Sequence, residues 1–201
     1  MLIKLDMKNA FDQVKLTFLY QVLSSFGFSV EFVCLIKSCT DPPWILPLIN
    51  GRPEYFFQAS RGLHQGCSLS LFLYILMAEV LSRKISVEMV ARSLPSIKIA
   101  SGVDPINHAL FANESLLLGG ASLIIARAFN LTLQNFFSSS GALIDKSKSV
   151  VFCWNVDHPS LLRIAHSLGF FGFDKVGKDQ LFGSPLNLGT QRSFVVVGCD
   201  L

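Results

Sequence analysis

Apolar and polar positions along this chain fall into short blocks with two different periods. Leu2 to Leu5 is an apolar run closed by Asp6, which predicts a strand starting almost at the first residue. Val14, Phe18, Leu19, Val22, Leu23 and Phe26 recur at helical spacing and stop at Gly27. Ile45 to Ile49, Asn50-Gly51 and Tyr55 to Gln58 predict a hairpin, because Asn-Gly supplies the positive φ of a tight turn. A Gly-flanked loop, Arg61 to Gly66, leads into a predicted helix from Ser68 to Lys84 with Ser68 as N-cap. His108 to Ala112 and Ser115 to Leu118 flank the polar pair Asn113-Glu114, a second predicted hairpin. Ala121 to Phe137 is helical in period, and Val150 to Cys153 reads as a strand. Ser160 to Leu168 reads as a short helix capped by Ser160 and stopped by Gly169. The tail carries Phe182-Gly183 and a last apolar run, Phe194 to Val197. Strands alternating with helices predict a sheet domain of the α/β or α+β class.

Composition sharpens this picture. The chain has 201 residues, 51% hydrophobic and only 15% charged, with 18 Phe and a mean hydropathy of +0.49. That excludes a disordered or collagen-like chain and implies apolar surface built to meet something else. The longest apolar run, Leu69 to Ala78, ends at Glu79, well short of the roughly 18 to 20 residues of a bilayer span. The N-terminal segment carries charge too early for a signal peptide, so the expectation is a soluble intracellular chain. Five cysteines without zinc spacing are expected to be reduced core thiols. A net charge of +3 permits contact with nucleic acid without demanding it.

Three places could carry chemistry. Asp6 closes a buried strand, where a carboxylate either caps the next helix or, with backbone carbonyls beside it, ligates a hard divalent cation. Asn113-Glu114 is either a simple turn or an acidic tip that lends a carboxylate to a shared metal pair. Arg61-Gly-Leu-His-Gln-Gly66 has two glycines that let backbone approach a ligand, and Arg61 and Gln65 have donors for phosphate or base edges; an ordinary loop fits as well. His64 and His108 have no ligand partner at metal spacing.

The order of the pieces adds what no single piece carries. Lys4-Leu-Asp-Met-Lys-Asn-Ala-Phe-Asp12, Ile49-Asn-Gly51, Arg61 to Gly66, His108-Ala-Leu-Phe-Ala-Asn-Glu114, Ser140-Gly-Ala-Leu-Ile-Asp-Lys-Ser-Lys-Ser149 and Phe182-Gly-Ser-Pro-Leu186 follow one another in this chain. Together they resemble the reverse transcriptase domain of non-long-terminal-repeat (LINE-type) retrotransposons. The resemblance covers Leu2 to about Leu186, giving a domain over 2–186 and an unassigned remnant over 187–201. It implies an α+β palm, a small sheet packed on helices, with fingers and thumb largely missing. It implies two-metal phosphoryl transfer with Mg2+ or Mn2+, an RNA template, a DNA primer and a deoxynucleoside triphosphate. By position, Asp6 corresponds to the first catalytic aspartate and the Met7 carbonyl to a backbone metal ligand. Phe11 corresponds to the bulky residue that excludes a 2′-hydroxyl, Gln65 and Gly66 to the loop against template and nucleotide, and Lys148 to the lysine near the triphosphate. Gly183 corresponds to the glycine near the primer-gripping hairpin.

The departures are as informative. The family tip reads Phe-Ala-Asp-Asp, and here it reads Phe111-Ala-Asn113-Glu114. Asn113 therefore places a neutral amide where a second metal-binding carboxylate is expected, and Glu114 keeps charge one methylene further out. Two adjacent cations repel, and carboxylates offset that repulsion, so losing one weakens the pair. Cys67, Ser68 and Leu71 replace the usual Asp, Pro and Pro of the loop. The implied copy is degenerate, truncated and catalytically inactive. The rival expectations are a non-catalytic nucleic-acid-binding remnant, using Lys146, Lys148, Arg61, Arg83, Lys84, Arg92 and Lys98, or a fragment with no selected function.

Overall fold

The computed structural model describes residues 1–98, 102, 104–169, 180, 181, 184 and 185. Gly183 and the run Phe194 to Val197 lie outside these residues. The fold is α+β. Its centre is a four-stranded antiparallel sheet in the order β6-β7-β1-β8, built from β1 (Leu2–Asp6), β6 (His108–Phe111), β7 (Glu114–Leu118) and β8 (Val150–Phe152).

Register decides which side chains reach the core. Ile3 stands opposite Leu117 on one side and Val151 on the other, so these three share a sheet face with Leu5. That face packs on α3 (Ser68–Val90), α4 (Leu123–Ser140) and α5 (His158–Leu168) through Leu81, Ile85, Phe129, Leu133 and Ile164. A second cluster joins α1 (Leu16–Ser25) and α2 (Val30–Cys39) to the first half of α3, through Leu19, Leu23, Val33, Leu73 and Met77.

Several elements differ from the sequence expectation. The period of α1 is right, but the chain first makes a turn at Asn9 (φ 47) that accepts from the Asp12 and Gln13 amides. Helix α2 was not expected. Its signal is a capping one, since the Ser29 hydroxyl accepts from the Phe32 amide and Glu31 sits in the first turn. Ser68 is not an N-cap: Cys67 takes that position and makes no side-chain cap bond. Ser160 is not one either. Asp157 caps α5 and accepts from the Ser160 amide, and Pro159 fits the first turn because it has no N–H to satisfy. α4 runs to Ser140, three residues beyond the expected end, and Gly141 terminates it in the left-handed conformation.

The expected 45–58 hairpin forms in two broken pieces. β3 (Leu48–Ile49) pairs with β4 (Arg52–Pro53) around Asn50-Gly51, and β2 (Trp44–Ile45) pairs with β5 (Phe57–Gln58). Ile49 opposes Arg52 while Trp44 opposes Gln58, so the register slips by one residue between the pieces. Pro47 and Pro53 lack the N–H that a continuous ladder needs. Of the expected core thiols, Cys34, Cys39 and Cys67 are free but exposed, Cys153 is free, half-buried and packed against the core, and Cys199 lies outside the described residues. No helix among the described residues is long and apolar enough to cross a membrane.

Candidate functional site

The end of β1 is held by two segments that are distant in sequence, 143–149 and the hairpin tip at Asn113. The Asp6 amide donates to the Ser149 hydroxyl (3.0 Å), and the Asp6 carbonyl accepts from the Asp145 amide (2.8 Å). The Met7 amide donates to the Asn113 carbonyl (3.0 Å), and the Lys8 amide to the Leu143 carbonyl (2.8 Å). Ser149 is buried and returns its own hydroxyl proton to the Asp145 carbonyl. Asp6 therefore closes a strand, and the helix-capping reading does not hold: α1 begins at Leu16, with Lys15 in the cap position.

The loop Arg61 to Gly66 docks beside this strand end. The Gly62 amide donates to the Val14 carbonyl and the Leu63 amide to the Phe11 carbonyl, both at 2.9 Å. Gly62 has φ +106, and a Cβ there would lie 3.2 Å from the Asp12 carbonyl oxygen, so this close approach requires glycine. The Gln65 side-chain amide donates to Asp12 Oδ1 (2.9 Å), and Arg61 Nη1 to Gln13 Oε1 (3.2 Å). Asp12 thus anchors the loop.

These contacts open a cleft of about 870 Å3. Asp6, Met7, Phe11, Gln65, Gly66, Asn113 and Lys148 all line it, although they come from four separate segments. Glu114 does not. The hairpin tip is Ala112-Asn113 and not Asn113-Glu114, because Phe111 pairs with Glu114. Glu114 is then a strand residue directly opposite Asp6, and both carboxylates leave the sheet on one face. Lys4 stands two residues back on that face and pairs with Glu114, Nζ to Oε1 at 3.0 Å.

Further cleft residues were given no role from sequence. Leu71, Tyr74, Ile75, Ala78 and Glu79 line one wall, and their spacing along α3 is a helical stripe that was visible in the sequence. Tyr74 packs against Phe11 with ring centroids 5.0 Å apart. Burial, and then the nearby Asp6 charge, push its hydroxyl up to about 12, so it stays protonated. Glu79 is held by Arg83 at 2.9 Å. Asp145 lies inside the quoted segment 140–149. It is held below the ordinary aspartate range by the Ser147 hydroxyl and amide.

The electrostatics of Asp6 point the other way. Burial pushes its carboxyl above the ordinary range; Lys148 pulls it back, Glu114 and Asp145 add to the rise, and Lys4 opposes them. Among the described residues, no group of three His, Cys, Asp or Glu side chains is placed to hold a metal ion. Cys67 lies at the cleft edge, its thiol lowered by the Ser70 and Leu69 amides at the start of α3. His108 is satisfied elsewhere, between the Ser82 hydroxyl (2.8 Å) and Asn107 Oδ1 (2.7 Å).

Comparisons with known proteins fit this geometry. An uncharacterised mitochondrial protein of Arabidopsis thaliana is 40% identical over 72 residues, 36% of this chain and 59% of that protein. Telomerase of Candida albicans, solved in complex with a fragment of telomeric RNA, has a similar fold. Its TM-score is 0.56 at 16% identity, over 79% of this chain and 27% of that one. Apo telomerase of Candida tropicalis gives a TM-score of 0.52 at 14% identity, over 78% and 31%. The chain thus spans just over half of the mitochondrial relative and under a third of each telomerase chain. Residues 1–199 match the family described as reverse transcriptase (RNA-dependent DNA polymerase), and the chain belongs to that family.

Proposed function

We propose that this chain is a LINE-type reverse transcriptase palm that recognises a deoxynucleoside triphosphate and a nucleic-acid template and primer but does not complete the two-metal centre. The observation that carries the reading is the meeting of Asp6, Phe11, Gln65, Asn113 and Lys148 in one cleft. In that cleft Lys148 supplies positive charge for a triphosphate. Phe11, backed by Tyr74, is the wall a ribose 2′-hydroxyl would strike. The Gln65–Gly66 loop, fixed through Asp12, forms the surface for the template base.

The family uses divalent metal ions, but the donor set here does not fit a pair of them. Asp6 offers one carboxylate whose ionised form burial disfavours. Asn113 offers no charge, and the Glu114 charge is neutralised by Lys4 at 3.0 Å. Glu79 and Asp145 also line the cleft, but Arg83 holds the first and the Ser147 amide and hydroxyl hold the second, and among the described residues no three such side chains converge to offset the repulsion between two close cations. The chain therefore binds substrates without transferring the nucleotidyl group.

Binding and extension assays separate the parts of this reading. A fluorescent deoxynucleotide should bind the wild type, bind the ribonucleotide analogue more weakly, and lose affinity with Lys148→Ala. Primer extension on an RNA template should give no product. No nucleotide binding by the folded wild type overturns the recognition claim, and extension by the unmodified chain overturns the inactivity claim.

A further inference from the structure

A second basic site lies away from the cleft, between α4 and α5. Arg127 projects from α4, and Arg163 and His166 from α5, into one cavity of about 440 Å3 whose other walls are Leu123, Leu162 and Ser167. No acidic residue lines it. This sets it apart from the cations described above. Lys4 faces Glu114, Arg83 faces Glu79, and Lys148 acts on Asp6 and Asp145. Of the three basic groups, Arg163 donates to the Ser160 hydroxyl at 3.0 Å and feels the Asp157 carboxylate at the helix start. Arg127 has no ion pair among the described residues.

Position makes this a separate contact. Thirteen residues of α4 separate Arg127 from Ser140, about 20 Å at 1.5 Å per residue. The Ser140 end is the one beside the strand end that carries Asp6, where the Lys15 amide donates to the Ser140 carbonyl and Met7 bridges Ile144.

We propose that Arg127, Arg163 and His166 form a phosphate-backbone site for a nucleic-acid strand. Two guanidiniums on facing helices match phosphate oxygens through paired N–H donors. Both arginines are exposed residues, so a single small anion gains little there against water and salt. A polyanion gains more, because each neutralised phosphate releases condensed counterions. The site thus extends the substrate-recognition reading above, on which it rests, to a strand segment outside the cleft.

The test is RNA affinity against salt concentration, by fluorescence anisotropy with a single-stranded RNA long enough to span both sites. Arg127→Ala/Arg163→Ala should flatten the slope of log affinity against log salt by about 1.4, at roughly 0.7 per phosphate contact, and weaken binding about tenfold or more at 50 mM salt. Arg127→Lys/Arg163→Lys should restore most of the slope, because counterion release counts charge. It also covers the case in which the alanine pair perturbs folding. A charge-matched control, Lys37→Gln/Arg52→Gln, should change the slope by less than half as much. An unchanged slope in the alanine pair, or an equal loss in the control, overturns the proposal. So does sub-millimolar binding of inorganic phosphate that depends on Arg127 and Arg163, or a dependence on them for binding to anionic vesicles but not RNA. If wild type binds RNA and the alanine pair matches it, only this site fails. If wild type binds no RNA, the substrate-recognition reading fails with it.

Discussion

Two β regions of this protein contain equally apolar sequence and meet opposite fates. β1, Leu-Ile-Lys-Leu-Asp, lies between two partner strands and against helices, and Ile3 and Leu5 are fully buried. The 44–58 segment is also rich in Trp, Leu, Ile, Tyr and Phe, yet Trp44 is 66%, Tyr55 87% and Phe56 64% exposed. The difference is in backbone pairing. β1 has five consecutive residues able to make ladder bonds, whereas each ribbon strand stops after two, beside prolines and a register slip. Without a long ladder there is no continuous face to set against a helix. Apolar content supplies the drive to be buried, and continuity of pairing decides where it is satisfied.

The largest effect should separate the regions by stability. Phe129→Ala empties a fully buried site in the sheet–helix core and should cost about 3–5 kcal/mol. Phe56→Ala in the ribbon should stay within about 0.5 kcal/mol. Urea unfolding of both variants checks this, and equal losses would break the comparison.

Two glycines with similar backbone sharpen it. Gly141 has φ +82, and an added Cβ would lie 2.7 Å from the Gln13 carbonyl oxygen, so Gly141→Ala should cost about 2–3 kcal/mol. Gly51 has φ +77 with nothing within 4 Å of that position, and Gly51→Ala should cost about 1 kcal/mol, from conformation alone. Thermal melting of the two variants should rank them in that order.

The two hairpin tips differ in turn chemistry. The ribbon turn uses Asn50 at φ 52, a residue type that tolerates this region, while the tip beside Asp6 uses Ala112 at φ 50. Ala112→Gly should therefore raise stability by about 1 kcal/mol, measured by denaturant midpoint, and a loss would show that the alanine methyl group packs usefully.

The smallest effect concerns charge. Burial raises the Asp6 carboxyl above its unfolded value, so its ionised form costs stability. The wild type is favoured below the unfolded value, near pH 4, and loses that advantage as pH rises through the folded value. In metal-free buffer Asp6→Asn should thus melt higher than wild type at neutral pH, with the gap closing toward pH 4. A gap that widens on acidification would contradict the sign.

The sequence made β1, α1 and α4 legible because each carries an uninterrupted period, whereas α3 was legible only as a long apolar stretch after a glycine loop and runs on to Val90, beyond the expected end at Lys84. Helix α2 was hidden because its exposed Val30, Phe32 and Leu35 blur the amphipathic stripe. The caps of α3 and α5 were misplaced because serine suits several first-turn positions, and only geometry shows that Asp157 accepts from Ser160. In the site, motif order picked out Asp6, Phe11, Gln65, Gly66, Asn113 and Lys148, and the fold brings these six to one cleft. It could not see that a tip shifted by one residue makes Glu114 a strand residue, within reach of Lys4. It also missed Tyr74, because a tyrosine inside an apolar helix looks like core until the segment it faces is known.

The central claim is that Asn113, with Glu114 held by Lys4, leaves the metal centre incomplete. Calorimetric titration of Mg2+ and Mn2+ into the wild type and Asn113→Asp tests it most directly. The account predicts no specific two-ion binding by the wild type and a gain of affinity in Asn113→Asp. Tight binding of two ions by the unmodified chain would contradict it.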